Sequence, residues 1–159
     1  MSRPIRTLYI CVGLIGSGKS TWARENAKKG QNTVIVNRDH LRTMLLGKYR
    51  YDKRFEPIIK NMALDIASRA LTYGLSVVID ETCLTRSSRE GWVSTIAAPY
   101  DRCVAVHFTN TEGNVDRRMA DDPRGYSREK WQEVYDGMLA RFEPITEDEG
   151  FDEVIEVSI

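Results

Sequence analysis

An α/β fold built on a parallel sheet is predicted by three observations. The segment GLIGSGKS, Gly13 to Ser20, fits G-x-x-x-x-G-K-[ST]. An apolar run, residues 8–12, leads into it, and a helix-like stretch, residues 21–28, follows it. Strand-like runs then recur at residues 7–12, 33–37, 76–79, 104–109 and 154–158, with helical patterns between them. Strands alternating with helices indicate a mostly parallel sheet covered on both faces, a three-layer α/β/α arrangement of five strands.

Each element has a local justification. The helix expected over 57–73 places Ile59, Met62, Ala63, Ile66 and Ala70 on one face, with Pro57 in its first turn and Gly74 as its stop. A helix over 87–98 follows a Ser-Ser pair and ends before Pro99. A helix over 127–142 begins at Ser127, a good N-cap residue. Two stretches fit neither pattern. Residues 47–56 interleave Lys48, Arg50, Lys53 and Arg54 with Tyr49, Tyr51 and Phe55. That mixture suits either an exposed linker or a surface that holds a single nucleic-acid strand by phosphate contact and base stacking. The other stretch, DDPRGY at residues 121–126, reads as a turn or mobile flap.

The glycine segment carries the first chemistry. Gly13, Gly16 and Gly18 free the backbone to approach a ligand closely, and successive N–H groups and the following helix end favour anions. Lys19 brings a compact charge to the β- and γ-phosphates of a nucleotide, and the Ser20 hydroxyl suits Mg²⁺. The expected nucleotide-binding set is Gly13, Gly16, Ser17, Gly18, Lys19, Ser20 and Thr21. This defines a P-loop NTPase fold, with an adenylate-kinase-like strand order and a short lid as the expected form.

Two strand ends add acids. Asn37-Arg38-Asp39-His40-Leu41-Arg42 ends the second strand, where open parallel sheets place ligands. If a helix begins here, Asp39 and Arg42 share a face; the carboxylate can take a proton from an attacking hydroxyl, and the guanidinium can hold an anion or steady the carboxylate. Either Asn37 or Asp39 suits the helix cap. Asp80 and Glu81 end the third strand, and either is suited to serve Mg²⁺. His40 and His107 read as surface and strand residues. Arg117, Arg118 and Arg124 surround the DDPRG turn; an arginine on a closing flap stabilises a transferring phosphoryl group and excludes water, and Arg124 is the best placed.

The bulk numbers frame this chemistry. The chain has 159 residues, consistent with one domain over 1–159, with 23 basic and 23 acidic residues. Six of the acids and none of the bases lie beyond Thr146, so the remainder is net basic. No run is long and apolar enough for a membrane helix, and the N-terminus passes straight into a strand, so no signal peptide is expected. Cys11, Cys83 and Cys103 match no zinc or redox motif, which points to reduced cytoplasmic thiols.

Taken together, GSGKSTWARE (residues 16–25), NRDHLR (37–42) and DETCLTRSSREGW (80–92) resemble the 5′-hydroxyl polynucleotide kinase family, over about Leu8 to Tyr135. The resemblance implies that Asp39 is the general base, that Arg38 and Arg42 serve the acceptor, and that Thr82 and Arg89 lie beside it. It also places lid arginines at Arg118 and Arg124, Arg124 acting with Lys19 and Asp39 in catalysis. Glu81 and Cys83 depart from the family's Asp and Asn, and no D-x-D-x-T phosphatase segment is present. The implied reaction transfers the γ-phosphate of ATP, with Mg²⁺, to the 5′-OH end of RNA or DNA. No membrane and no obligate protein partner are implied. A kinase of a small-molecule hydroxyl is the enzyme alternative, and a non-catalytic nucleotide-binding module the other.

Overall fold

The computed structural model describes residues 2–30, 32–122 and 124–158. Pro123, within the DDPRGY turn, lies outside the described residues. The strands are β1 (Thr7–Val12), β2 (Thr33–Val36), β3 (Ser76–Ile79), β4 (Arg102–Phe108) and β5 (Glu153–Val157). The helices are α1 (Lys19–Gly30), α2 (Arg38–Leu46), α3 (Glu56–Thr72), α4 (Arg86–Thr95), α5 (Asn114–Ala120) and α6 (Arg128–Arg141). The sheet order is β2-β3-β1-β4-β5, parallel throughout. This is the five-stranded P-loop arrangement expected from the sequence.

Alternation along the strands builds the three layers. Leu8, Ile10 and Val12 of β1 point to one face, where they meet Ile59, Ala63, Ala67 and Leu71 of α3 and Trp92 of α4. Cys11 points to the other face with Val104, Val106 and Phe108, against Ala23 of α1. Trp22 closes that side, edge-on to Tyr9 at 5.6 Å and to Phe108 at 6.2 Å between ring centroids. All three cysteines are buried and free.

Several boundaries differ from expectation. Helix α4 spans Arg86–Thr95 rather than 87–98: Thr85 caps it in a reciprocal pair with Ser88, and Ile96 turns extended at its end. Strand β4 begins at Arg102, where Arg102 pairs with Thr7 of β1. Helix α5 was not anticipated; at seven residues it is too short to show a periodic apolar face. The acid-rich C-terminal segment fastens the body together. Asp148 pairs with Arg86, Glu149 with Arg89, and Glu153 with Arg102.

The topology brings the carboxyl ends of β1, β2 and β3 to one edge. There the Gly13 N–H donates to the Thr82 carbonyl at 3.0 Å, joining the glycine loop to the end of β3.

Candidate active site

A cleft of about 320 Å³ opens at this edge, lined by the phosphate loop, the ends of β2 and β3, and the segment following β4. Gly16 shows why the loop needs glycine. Its φ is +62°, and a Cβ there would sit 1.9 Å from the Asn114 carbonyl oxygen, so α5 is seated directly on the loop backbone. Ser17 is buried and donates to the Leu14 carbonyl at 2.8 Å. Lys19 donates to that same carbonyl at 2.5 Å and to Ser17 Oγ at 3.3 Å. Burial pushes the Lys19 ammonium below its ordinary value, an effect opposed by the neighbouring Asp80 carboxylate. Helix α1 starts at Lys19, so its first N–H groups belong to the loop, and Ser20 and Thr21 line the cleft.

The strand ends sort their polar residues by hydrogen bonding. Asn37 is the cap of α2: its side-chain oxygen accepts from the His40 N–H at 3.1 Å, and its amide donates to both the carbonyl and the carboxylate of Asp80 at 3.0 Å. Asp39 is thereby freed from capping. Its carboxylate accepts from Arg42 at 2.5 Å and from Arg124 at 3.3 Å, and remains 45% exposed into the cleft. Arg42 is held from behind by Glu56 in a bidentate pair at 2.9 and 2.7 Å. Hydrogen bonding to Glu56 raises the Arg42 guanidinium, and the same bond lowers the Glu56 carboxyl.

Asp80 and Glu81, indistinguishable in the sequence, are separated here. Glu81 is committed to Arg38 through its backbone N–H at 2.8 Å and its guanidinium at 3.0 and 3.1 Å. Asp80 is only 4% exposed, and its Oδ1 is buried with no partner. Among the described residues no group of three or more His, Cys, Asp or Glu side chains is arranged to hold a metal. One orphaned carboxylate oxygen and the Ser20 hydroxyl in the same cleft fit Mg²⁺, which keeps most of its shell for water and phosphate.

The third wall is the lid: α5, the following turn and α6. Arg117 fastens it to the loop, donating to the Gly16 carbonyl at 2.7 Å and to Asn114 at 2.5 Å. Arg118 instead lies over the Trp131 ring at 4.6 Å, and Arg124 over Tyr49 at 4.0 Å and Trp131 at 5.4 Å. The Nε of each is buried without a partner. Burial lowers Arg118 from its ordinary value, and the adjacent Arg124 lowers it further. Two stacked, under-satisfied guanidinium groups face the phosphate loop, an arrangement that an anion would complete. Asp122 organises the turn, accepting from the N–H groups of Arg124 and Tyr126 at 2.7 Å each and from the Trp131 ring at 2.9 Å.

The family pattern described as an AAA domain matches residues 8–145. The chain belongs to that family. Two structures of the Pnkp1/Rnl/Hen1 complex, one described as an RNA repair complex, resemble this AAA domain at 28% and 26% identity. Their TM-scores are 0.63 and 0.68, and the matches cover 80% and 91% of this chain but only 41% and 49% of those chains. The domain thus spans less than half the length of these relatives. A fungal RNA kinase shares the fold at 18% identity and TM-score 0.67, over 99% of this chain and 76% of that one. A sugar kinase from Janibacter sp. HTCC2649 shares it at 20% identity and TM-score 0.60, over 98% and 86%. The fold is that of a P-loop kinase, and it serves neighbours with different acceptors.

Among the residues expected beside an acceptor, Thr82 lines the cleft and Arg38 lines a smaller recess of about 180 Å³ that adjoins it through Glu81, Thr82 and Met138. Arg89 requires a correction. Its side chain is fully buried and pairs with Glu149 at 2.6 and 2.7 Å. Its remaining hydrogen bonds run to the carbonyls of Cys83, Leu84, Glu143 and Pro144. It braces the C-terminal segment and does not line the cleft. The sequence reading passed over Asp122 and Glu56. Glu56 acts on Arg42, fourteen residues before it, and Asp122 shapes its own turn through two backbone N–H groups and the Trp131 ring; no simple spacing signals either.

Proposed function

We propose that this domain is a polynucleotide 5′-hydroxyl kinase that transfers the γ-phosphate of ATP to the 5′-OH end of RNA or DNA. The observation that supports this most directly is the position of Asp39. It is a half-exposed carboxylate in the same cleft as the phosphate loop, gripped by guanidinium groups on two sides. The 26–28% identity to the Pnkp1 complexes inclines the acceptor toward a nucleic-acid end.

In this reading the loop N–H groups and Lys19 hold the donor phosphates. Arg42 fixes the Asp39 carboxylate so that it accepts the proton of the attacking hydroxyl. Arg124 leaves Asp39 as a nucleotide enters and, with Arg118, covers the equatorial oxygens of the transferring group. Ser20 and Asp80 would hold Mg²⁺, which when bound neutralises charge on the donor phosphates. Thr82 and Arg38 border the space left for the acceptor.

The test is Asp39→Asn, assayed with matched 5′-OH oligonucleotides and with sugars and nucleosides as competing acceptors. The variant is expected to fold and to bind ATP like the native domain while losing transfer to the oligonucleotide. Retained turnover would remove Asp39 from the base role, and native transfer to a sugar in preference to an oligonucleotide would overturn the polynucleotide assignment.

A further inference from the structure

We infer that residues 47–55, the segment joining α2 to α3, hold the acceptor strand beyond its terminal nucleotide; this rests on the polynucleotide reading above. Gly47 turns the chain out of α2 with φ +74°, and the segment then runs without helix or strand to α3. Its inner side is part of the site. The Tyr49 ring lies under Arg124 at 4.0 Å, and the Tyr51 ring lies 5.8 Å from the guanidinium of Arg42, the residue that holds Asp39. Phe55 anchors the segment on the core, flanked by Arg50 and Arg54 at 5.8 and 5.6 Å from its ring.

The outer side has the opposite character. Tyr51 is 60% exposed, and Lys48, Arg50, Lys53 and Arg54 are all exposed. Against these four cations stands one acid within the segment, Asp52, which pairs with Arg54 at 2.7 Å and lies 3.8 Å from Arg50. Lys48 and Lys53 enter no ion pair among the described residues. A cationic strip around an uncovered aromatic face, continuous with the carboxylate proposed as base, matches a single nucleic-acid strand. The cations meet successive phosphates, and the ring takes a base. An acidic protein surface would match the charges but leave the ring without a purpose.

Binding of a 3′-fluorescein-labelled 5′-OH dodecamer is measured by anisotropy without ATP, across a salt series, for the native domain, Lys48→Glu/Lys53→Glu and Tyr51→Ala. The double variant is expected to flatten the plot of log K against log salt by about 1.4, two phosphate contacts at ~0.7 each. Tyr51→Ala is expected to weaken binding about tenfold at every salt concentration. Phosphorylation of a nucleoside 3′-monophosphate, too short to reach the two lysines, should stay within about twofold of native for Lys48→Glu/Lys53→Glu. Unchanged oligomer affinity and slope, or an equal loss with the short acceptor, overturns the inference. A loss from charge reversal with none from Tyr51→Ala also overturns it, in favour of a general polyanion contact. A native domain that transfers to no 5′-OH end defeats the functional reading instead, and the binding series still decides whether the segment holds a strand.

Discussion

Arg89 and Arg118 both bury guanidinium nitrogen within the same small domain, yet their surroundings are opposite. Arg89 has no exposed side-chain surface, and its charge is met by Glu149 while four carbonyls take its other hydrogen bonds. Arg118 forms no ion pair among the described residues, keeps a buried Nε without a partner, and leans on the face of Trp131 with a second under-satisfied arginine beside it. A buried cation completed from within belongs to the architecture. One left incomplete beside the phosphate loop is a candidate contact for an anion. If these two arginines cover the transferring group as proposed, an anionic phosphate relieves the cost of burying them under-satisfied.

The largest effect expected from this contrast is kinetic. Arg124→Ala should lower kcat for phosphoryl transfer by about 10³-fold or more, the range seen where a positioned arginine covers the transferring group. Arg118→Ala should act in the same direction. Neither should lower the thermal midpoint appreciably, because Arg118 enters no ion pair among the described residues and Arg124 enters one, with the half-exposed Asp39 at 3.3 Å, while the Nε of each has no partner. A large fall in stability with preserved single-turnover rate would reverse the assignment.

Arg89→Ala should do the converse. It leaves Glu149, 2% exposed, without its partner, and breaking a buried pair in this way costs about 3–5 kcal/mol. Denaturant unfolding should show that loss, while activity per folded molecule at low temperature stays close to native. The same pair predicts a pH limb. Hydrogen bonding from Arg89 holds the Glu149 carboxyl below the usual carboxylate range. Because its folded value lies below the unfolded value of about 4.3, the contribution is full above that pH. It is lost as pH falls through the depressed folded value. Glu149→Gln should therefore flatten the acid limb of the stability curve relative to native, and an unchanged limb would mean the pair carries no linkage.

The two arginines also mark how far the sequence can be read. Local signals were sufficient for the phosphate loop, the five strands and the α3 helix, because each is written in consecutive residues: glycine spacing, apolar runs, Pro57 before a periodic face. The choice between Asn37 and Asp39 as cap, and between Asp80 and Glu81 as free acid, was not legible. In each case a partner some forty residues away decides, Asp80 for Asn37 and Arg38 for Glu81. Arg89 was misplaced for the same reason, its acid lying sixty residues onward. Helix α5 escaped notice because it is held by the loop it covers, through Asn114 and Arg117, more than by a face of its own. Cys83 shows a residual tension of this kind. It holds φ +42°, a backbone state that Asn tolerates better, at the position where the resembling family carries Asn.

Arg42 stands between the two cases and offers the smallest, sharpest test. It is nearly buried and firmly paired, with Glu56 as Arg89 is with Glu149, yet it touches the carboxylate proposed as the base, as Arg124 does. If its task is to hold Asp39, then Glu56→Gln loosens the hold. That variant should lower kcat about fivefold, the equivalent of ~1 kcal/mol in the transition state, and leave the acceptor KM unchanged. If Arg42 grips an acceptor phosphate directly, as the family resemblance implies, freeing it from Glu56 should strengthen that grip and lower KM for acceptors carrying a 3′-side phosphate. The split between kcat and KM in one variant therefore distinguishes a positioning arginine from a binding one, and places Arg42 on one side of the line that separates Arg89 from Arg118.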